Sequence, residues 1–420
     1  MPRPLNIFVP HCSDVLTDHL PHGDGLIAHG FMTHLARRGH RLHVAAERVE
    51  LREPIHPNIT LHLLSRGQGA LSRLGYMLRV RRLLRRLQRS QSFDLVHQFN
   101  PVFTGISLSL AGCGLPVVLG TYVAQWPDSS GLSSVARAQR WVGNTLRNVI
   151  ATTQQHRASA LILTSPSASN RLPHAESVRD RIHYVPHGID TSLFSPAPGW
   201  DSEQFLAAEQ QEPSILFLAN VGRHKGIYVL IEAFSRVVRE IANCKLQVVG
   251  GGDELSLVKR RAEELGCVQG VQFLGWQERA DTPDFYRHAS VYCLPSFGEP
   301  YATTVLEAMA CGRALVVTNS GGLPYLVHDQ GGKKVPAGDP EALAQALLSL
   351  LRHPEQRRAM GHYNRDYMER NMSWANVARQ VEAVYESVLQ KGRSPKIECF
   401  GPLAVGNPPA VSSQTQVVEC

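Results

Sequence analysis

The chain has 420 residues, 43 Lys and Arg against 36 Asp and Glu, and a formal net charge of +7. At about 150 residues per domain this length suits two domains, and a hydrophobic fraction of 43% excludes an extended disordered chain. No apolar run reaches the roughly 18 residues of a membrane helix, the first residues turn polar too quickly for a secretory signal, and eight singly scattered cysteines exclude a disulfide module and fit a reduced compartment. Nineteen histidines show no spacing of the His-Glu-x-x-His kind, so no metal site made by the protein alone is expected.

In chain order, residues 5–10 read as a buried strand that ends in the turn His22-Gly23-Asp24-Gly25, followed by a helix over 26–38 that Gly39 stops. Strands follow at 41–46, around 95–96, and at 116–119, 160–164 and 182–185. Each is apolar throughout rather than alternating, and helical stretches separate them. That pattern marks a parallel sheet covered on both faces. Between residues 186 and 213 the periodicity lapses amid Pro186, Gly188, Pro196, Pro198, Gly199 and Pro213, which reads as a linker.

The alternation then restarts, with strands at 214–219, 245–249, 271–274, 290–294 and 314–318 and helices at 226–241, 255–265 and 305–311. Two further helices are expected at 340–351 and 374–389. The fold class is therefore α/β, two doubly wound parallel-sheet units joined by a proline-rich hinge. Ligands in such units bind beyond the carboxyl ends of the strands, so a cleft between them is the expected site. The expected division is 1–190, a linker at 191–212, 213–372, a crossing helix at 373–390 and a disordered tail at 391–420.

The sharpest local signal is Phe297-Gly298-Glu299-Pro300-Tyr301-Ala302-Thr303-Thr304-Val305-Leu306-Glu307-Ala308-Met309-Ala310-Cys311-Gly312. Glu299 falls in a strand-to-helix loop and Glu307 in the second turn of the helix. Unpaired N–H groups and positive potential at the helix start suit a phosphate, and the two carboxylates suit sugar and ribose hydroxyls. The same glutamates also fit a simpler reading, in which they only favour the positive end of the helix.

With Gly321-Gly322-Leu323-Pro324 after the next strand, this stretch resembles the family-4 retaining glycosyltransferases of the GT-B fold. Four more segments agree in order: Val185-Pro186-His187-Gly188-Ile189-Asp190, the strand end at 218–226, Val248-Val249-Gly250-Gly251-Gly252-Asp253-Glu254, and Phe273-Leu274-Gly275-Trp276. The resemblance spans residues 5–390. It implies an enzyme with two Rossmann-like domains, the first on the acceptor side and the second binding a nucleotide diphosphate sugar. It further implies Glu299 and Lys225 as the catalytic pair, Lys225 neutralising the diphosphate and Glu299 holding the transferred sugar. Thr303 and Thr304 would cradle the distal phosphate through their N–H groups, Glu307 would hold the ribose, and Gly23 and Gly25 would close over the diphosphate from the first domain. No cofactor or metal is implied beyond the donor, and the acceptor is a glycan or lipid-linked hydroxyl.

Several positions depart from the family pattern. Its Gly-Arg becomes Ala219-Asn220, which leaves Asn220 or Arg223 to take the place of the arginine. Its Phe-Gly becomes Tyr301-Ala302, its Pro-Glu becomes Pro324-Tyr325, and Phe99 replaces the second of two histidines of which His97 is the first. These changes bear on the acceptor and the sugar pocket more than on the donor scaffold, and the alternative reading is an impaired relative that binds or scaffolds without turnover. Lastly, residues 71–89 carry Arg73, Arg79, Arg81, Arg82, Arg85, Arg86 and Arg89, with Leu71, Leu74, Leu78, Leu83, Leu84 and Leu87 mostly on one helical side. This is either a solvated basic face or a contact with the inner leaflet of a membrane. Nucleic acid is not expected, since no stacking aromatics interleave the arginines. A cytoplasmic protein, at most peripheral to the membrane, is the expectation.

Overall fold

The computed structural model describes residues 3–20, 23–64, 72–99, 105–122, 134–170, 172, 174–299 and 301–390. The first half builds a seven-stranded parallel sheet from β1 (Asn6–Val9), β3 (Arg41–Ala46), β5 (Ile59–Leu63), β6 (Leu95–Gln98), β7 (Val117–Tyr122), β8 (Ala160–Leu163) and β9 (Ile182–Tyr184), in the order β5-β3-β1-β6-β7-β8-β9. Two three-residue strands, β2 (Val15–Thr17) and β4 (Arg48–Glu50), pair apart from it; segments that short carry no periodicity to read. Helices α1 (Gly23–Arg37), α2 (Ser72–Leu87), α3 (Ser134–Arg157) and the single turn α4 (Pro166–Ser169) complete this lobe.

The second lobe has six parallel strands, β10 (Ser214–Leu218), β11 (Lys245–Val249), β12 (Val271–Gly275), β13 (Val291–Leu294), β14 (Ala314–Thr318) and β15 (Gly332–Val335), in the order β12-β11-β10-β13-β14-β15. Every residue of β13 and β14 is buried, as strands covered on both faces must be. Its helices are α6 (Ile227–Glu240), α7 (Leu255–Glu264), α8 (Thr282–His288), α9 (Thr303–Ala310), the turn α10 (Leu323–Leu326), α11 (Pro340–Arg352) and α12 (Pro354–Tyr367), numbered after α5 (Glu203–Gln211) of the connecting segment. Strand order reverses direction at β10, where β11 lies on one side and β13 on the other, the place where doubly wound sheets open a crevice for ligands.

The sequence reading lacks β5, β15, α3, α8 and α12, and two of its assignments differ in the structure. The segment read as a plain linker contains α5, capped by the Ser202 hydroxyl, which accepts the Phe205 N–H at 3.2 Å. Flanking prolines and glycines hide a run of helix formers, Glu203-Gln204-Phe205-Leu206-Ala207-Ala208. Helix α1 begins at Gly23, not after Gly25, with Asp24 in its first turn, where a carboxylate favours the positive helix end.

The last helix, α13 (Trp374–Leu389), packs on the first lobe. Its Val377, Val381, Val384 and Tyr385 belong to the same buried cluster as Ile7, Phe31 and Leu42. At about 1.5–3 kcal/mol for each large side chain removed from water, this face alone holds the chain end in place. The Glu382 carboxylate adds bonds from Arg38 at 2.6 Å and His40 at 2.8 Å. Residues 391–420, read from sequence as a disordered tail, lie outside the described residues, as does Leu71.

Candidate active site

Three loops at the carboxyl ends of neighbouring strands meet in the second lobe. After β10 the chain makes a short turn, Arg223–Lys225, and enters α6 through Gly226 in the left-handed region, φ 75°. A Cβ at Gly226 would lie 1.9 Å from the Pro295 carbonyl oxygen, so only glycine lets this turn sit against the loop after β13. There the His224 carbonyl accepts the Ser296 hydroxyl at 2.9 Å and the Phe297 N–H at 3.0 Å. The Glu299 carbonyl in turn accepts the Gly322 N–H from the third loop at 2.7 Å.

Held this way, the Lys225 ammonium and the Glu299 carboxylate form an ion pair, 20% and 13% exposed. Four residues on, Thr303 and Thr304 begin α9 with no side-chain cap, so their N–H groups have no partner within the helix. The Tyr292 hydroxyl donates to the Thr304 hydroxyl at 2.7 Å and fixes that side chain. Glu307 is buried one turn deeper, ion-paired with Arg279 and accepting the Tyr286 hydroxyl at 2.8 Å. Burial and the adjacent carboxylate hold the Tyr286 phenol well above its ordinary pKa, so it remains a donor to Glu307.

A cleft of about 520 Å³ lies between the lobes, and Gly23, Asp190, Arg279, Thr303 and Trp374 are among its walls. The structure thus brings Lys225 and Glu299 into contact, sets Glu307 on the same helix as Thr303 and Thr304, and puts Gly23 across the gap from Thr303. Gly25 is buried within the first turn of α1. Arg223 lies elsewhere: its exposed guanidinium is 3.8 Å from Glu254 and stacks 5.1 Å over the Tyr228 ring. Asn220 is exposed beside Gly252.

Arg279 and Tyr286, the partners of Glu307, were not legible in the sequence. They come from the segment after β12 and from α8, and only the folded sheet brings them to α9. Among the described residues His11, Asp14 and Glu47 place ligand atoms within 4.8 Å of one another, a grouping that ligand spacing along the chain does not reveal. It sits in the first lobe at the ends of β1 and β3.

Two doubly wound parallel-sheet lobes with a cleft between them, reached by the uncapped start of α9 at Thr303, form the GT-B architecture of glycosyltransferases. The description "Glycosyltransferase Family 4" matches residues 25–193 and "Glycosyl transferases group 1" matches residues 200–367. The chain belongs to the family-4 glycosyltransferases, enzymes that pass a sugar from a nucleotide-sugar donor to an acceptor.

Among its relatives is the phosphatidyl-myo-inositol mannosyltransferase of Mycobacterium leprae, 26% identical over 376 residues, covering 86% of this chain and 94% of the relative. The MMP alpha-(1->4)-mannosyltransferase of Mycolicibacterium hassiacum is 28% identical over 311 residues, covering 72% of each. In fold the chain is similar to sucrose-phosphate synthase from Thermosynechococcus elongatus, with a TM-score of 0.70 at 22% identity over 91% of this chain and 98% of that one. It is also similar to Anabaena HepE in complex with UDP, with a TM-score of 0.69 at 16% identity over 91% of this chain and 100% of that one.

Proposed function

We propose that the protein is a retaining hexosyltransferase that moves a sugar from a nucleotide diphosphate carrier to a hydroxyl of a glycan or lipid-linked acceptor. The observation that supports this best is the Lys225–Glu299 ion pair, formed at the loop that leads into the uncapped start of α9, whose Thr303 lines the cleft. In this reading the C1–O bond to phosphate breaks with its electron pair passing to the diphosphate. The acceptor oxygen bonds C1 from the same face, and its proton goes to the departing phosphate oxygen. No protein nucleophile and no metal is required: Lys225 and the N–H groups of Thr303 and Thr304 take the developing charge, while Glu299 orients the sugar and Glu307 the ribose.

A thermal-shift series with UDP, GDP and ADP tests it. One nucleotide is expected to stabilise the protein by about 2.7 kcal/mol when present at about 100 times its dissociation constant, and the matching sugar nucleotide to yield an α-linked product by NMR. No stabilisation by any of the three, or a product of inverted configuration, defeats the reading.

We also propose that the protein works at the inner face of a membrane, through α2. Leu83, Leu84 and Leu87 turn inward with Tyr76 and Val80, whereas Leu74 and Leu78 are exposed on the side that carries Arg82 and Arg85. The leucines therefore do not share one side, because positions 74, 78, 82 and 85 form their own stripe. An apolar pair ringed by arginines suits an anionic leaflet. Vesicles containing phosphatidylglycerol are expected to co-sediment the protein at low salt and release it at high salt, with Arg82→Glu/Arg85→Glu abolishing capture. Binding that ignores both salt and charge reversal rules the contact out.

A further inference from the structure

The residue two places after Glu299 departs from the family pattern in a way that matters to the joint between the lobes. Tyr301 is buried, and its hydroxyl accepts the backbone N–H of His187 at 3.0 Å with the His187 carbonyl oxygen 3.4 Å away. The two rings meet edge to face at 4.6 Å. His187 is itself buried, and its ring lies edge-on to Phe31 of α1 at 6.2 Å. One residue on, a Cβ at Gly188 would stand 2.4 Å from the Trp374 ring. The Ile189 N–H then donates to the Met372 carbonyl at 2.9 Å, and Ile189 bridges to Ser373. The two places where the chain passes between lobes therefore run side by side, and one phenol ties the loop of Glu299 to them.

We propose that Tyr301 is a positioning residue whose hydroxyl couples the Glu299 loop to the interlobe joint at His187, so that the seating of the lobes sets where the carboxylate stands. A phenylalanine, as the family pattern has here, fills the same space but leaves the buried His187 N–H without its acceptor. The loop then keeps its Gly322 and Lys225 ties yet loses its tie to the joint. The inference rests on the role proposed above for Glu299, and it concerns placement of the sugar rather than affinity for the nucleotide. A displacement on the order of 1 Å is enough to cost turnover heavily.

The test is Tyr301→Phe in the full chain, alone and combined with Glu299→Gln, using whichever of UDP-glucose and GDP-mannose gives the larger thermal shift. In the single variant kcat is expected to fall about tenfold or more, with donor KM and nucleoside diphosphate affinity within about twofold. Amide exchange at residues 187–189 is expected to quicken. On the Glu299→Gln background the added substitution should change nothing further. Unchanged exchange and unchanged kcat overturn the proposal, as does an equal loss in both backgrounds, which means that the effect does not pass through Glu299. If Glu299→Gln alone keeps full turnover, it is the assigned role of Glu299 that fails, and the exchange result still reports on the tie to the joint. Should Tyr301→Phe melt too low to assay, His187→Ala, which keeps the backbone donor, is expected to retain the slow exchange at 187–189; fast exchange there instead rejects the hydroxyl as the tie.

Discussion

Removing one or the other charge of the Lys225–Glu299 ion pair is expected to move nucleotide affinity in opposite directions while lowering transfer in both cases. Lys225→Ala leaves Glu299 as a lone carboxylate beside the start of α9, so an incoming diphosphate meets repulsion where it had a cation. Nucleoside diphosphate binding weakens, and turnover falls about 10²–10³-fold, the usual cost of deleting one group that stabilises transition-state charge. Glu299→Gln keeps the side-chain volume and frees the ammonium for phosphate. Nucleotide binding then tightens, while turnover still drops because the sugar loses its orienting carboxylate. Calorimetric titration with the preferred nucleoside diphosphate, alongside initial rates, checks both halves. Full turnover in either variant removes the role assigned to that residue. Affinity shifts of the same sign would mean that the pair does not face the phosphates.

The features that carry these expectations were unequally visible in the amino-acid order. Buried parallel strands announce themselves because both faces are apolar, so β10, β11, β13 and β14 could be read within a residue or two. Glu299, Thr303 and Glu307 are equally plain, since one loop and one helix start hold them all. The contact between Lys225 and Glu299 spans 74 residues, and only the resemblance to a family linked those positions. Arg279 had no such link. It reaches Glu307 across 28 residues from a segment without periodicity, and a single arginine in a polar loop carries no local signature. The start of α1 is hidden in the sequence for a related reason. Glycine is a poor helix former, so Gly23 and Gly25 read as a turn, while packing of Phe31, Met32 and Leu35 in the first lobe draws the helix through them.

The largest stability effect is expected in the connecting segment between the lobes, where prolines and glycines mask the helix α5. Glu209 on α5 is buried between two buried guanidinium groups, 2.8 Å from Arg313 and 3.4 Å from Arg357. Arg313 also donates to the carbonyls of Ala289 and Cys311 and lies 5.5 Å over the Trp200 ring, and Arg357 donates to those of Leu350 and Leu351. Burial pulls the Arg313 guanidinium below its ordinary pKa, and Glu209 is the chief group opposing that. Glu209→Ala would leave two cations facing each other out of water, a change that typically costs about 3–5 kcal/mol. Because α5 ties the connecting segment to β14 and α12, the loss falls on the second lobe, whose melting temperature is expected to drop by roughly 10 °C. Glu209→Gln, which keeps two acceptor sites on its carbonyl oxygen but no charge, should lose less. Calorimetry of the three proteins decides it: equal melting of Glu209→Ala and the parent would show that water reaches these arginines and that the cluster contributes nothing to the lobe. If instead both variants melt alike and low, packing of α5 rather than charge compensation holds the segment in place.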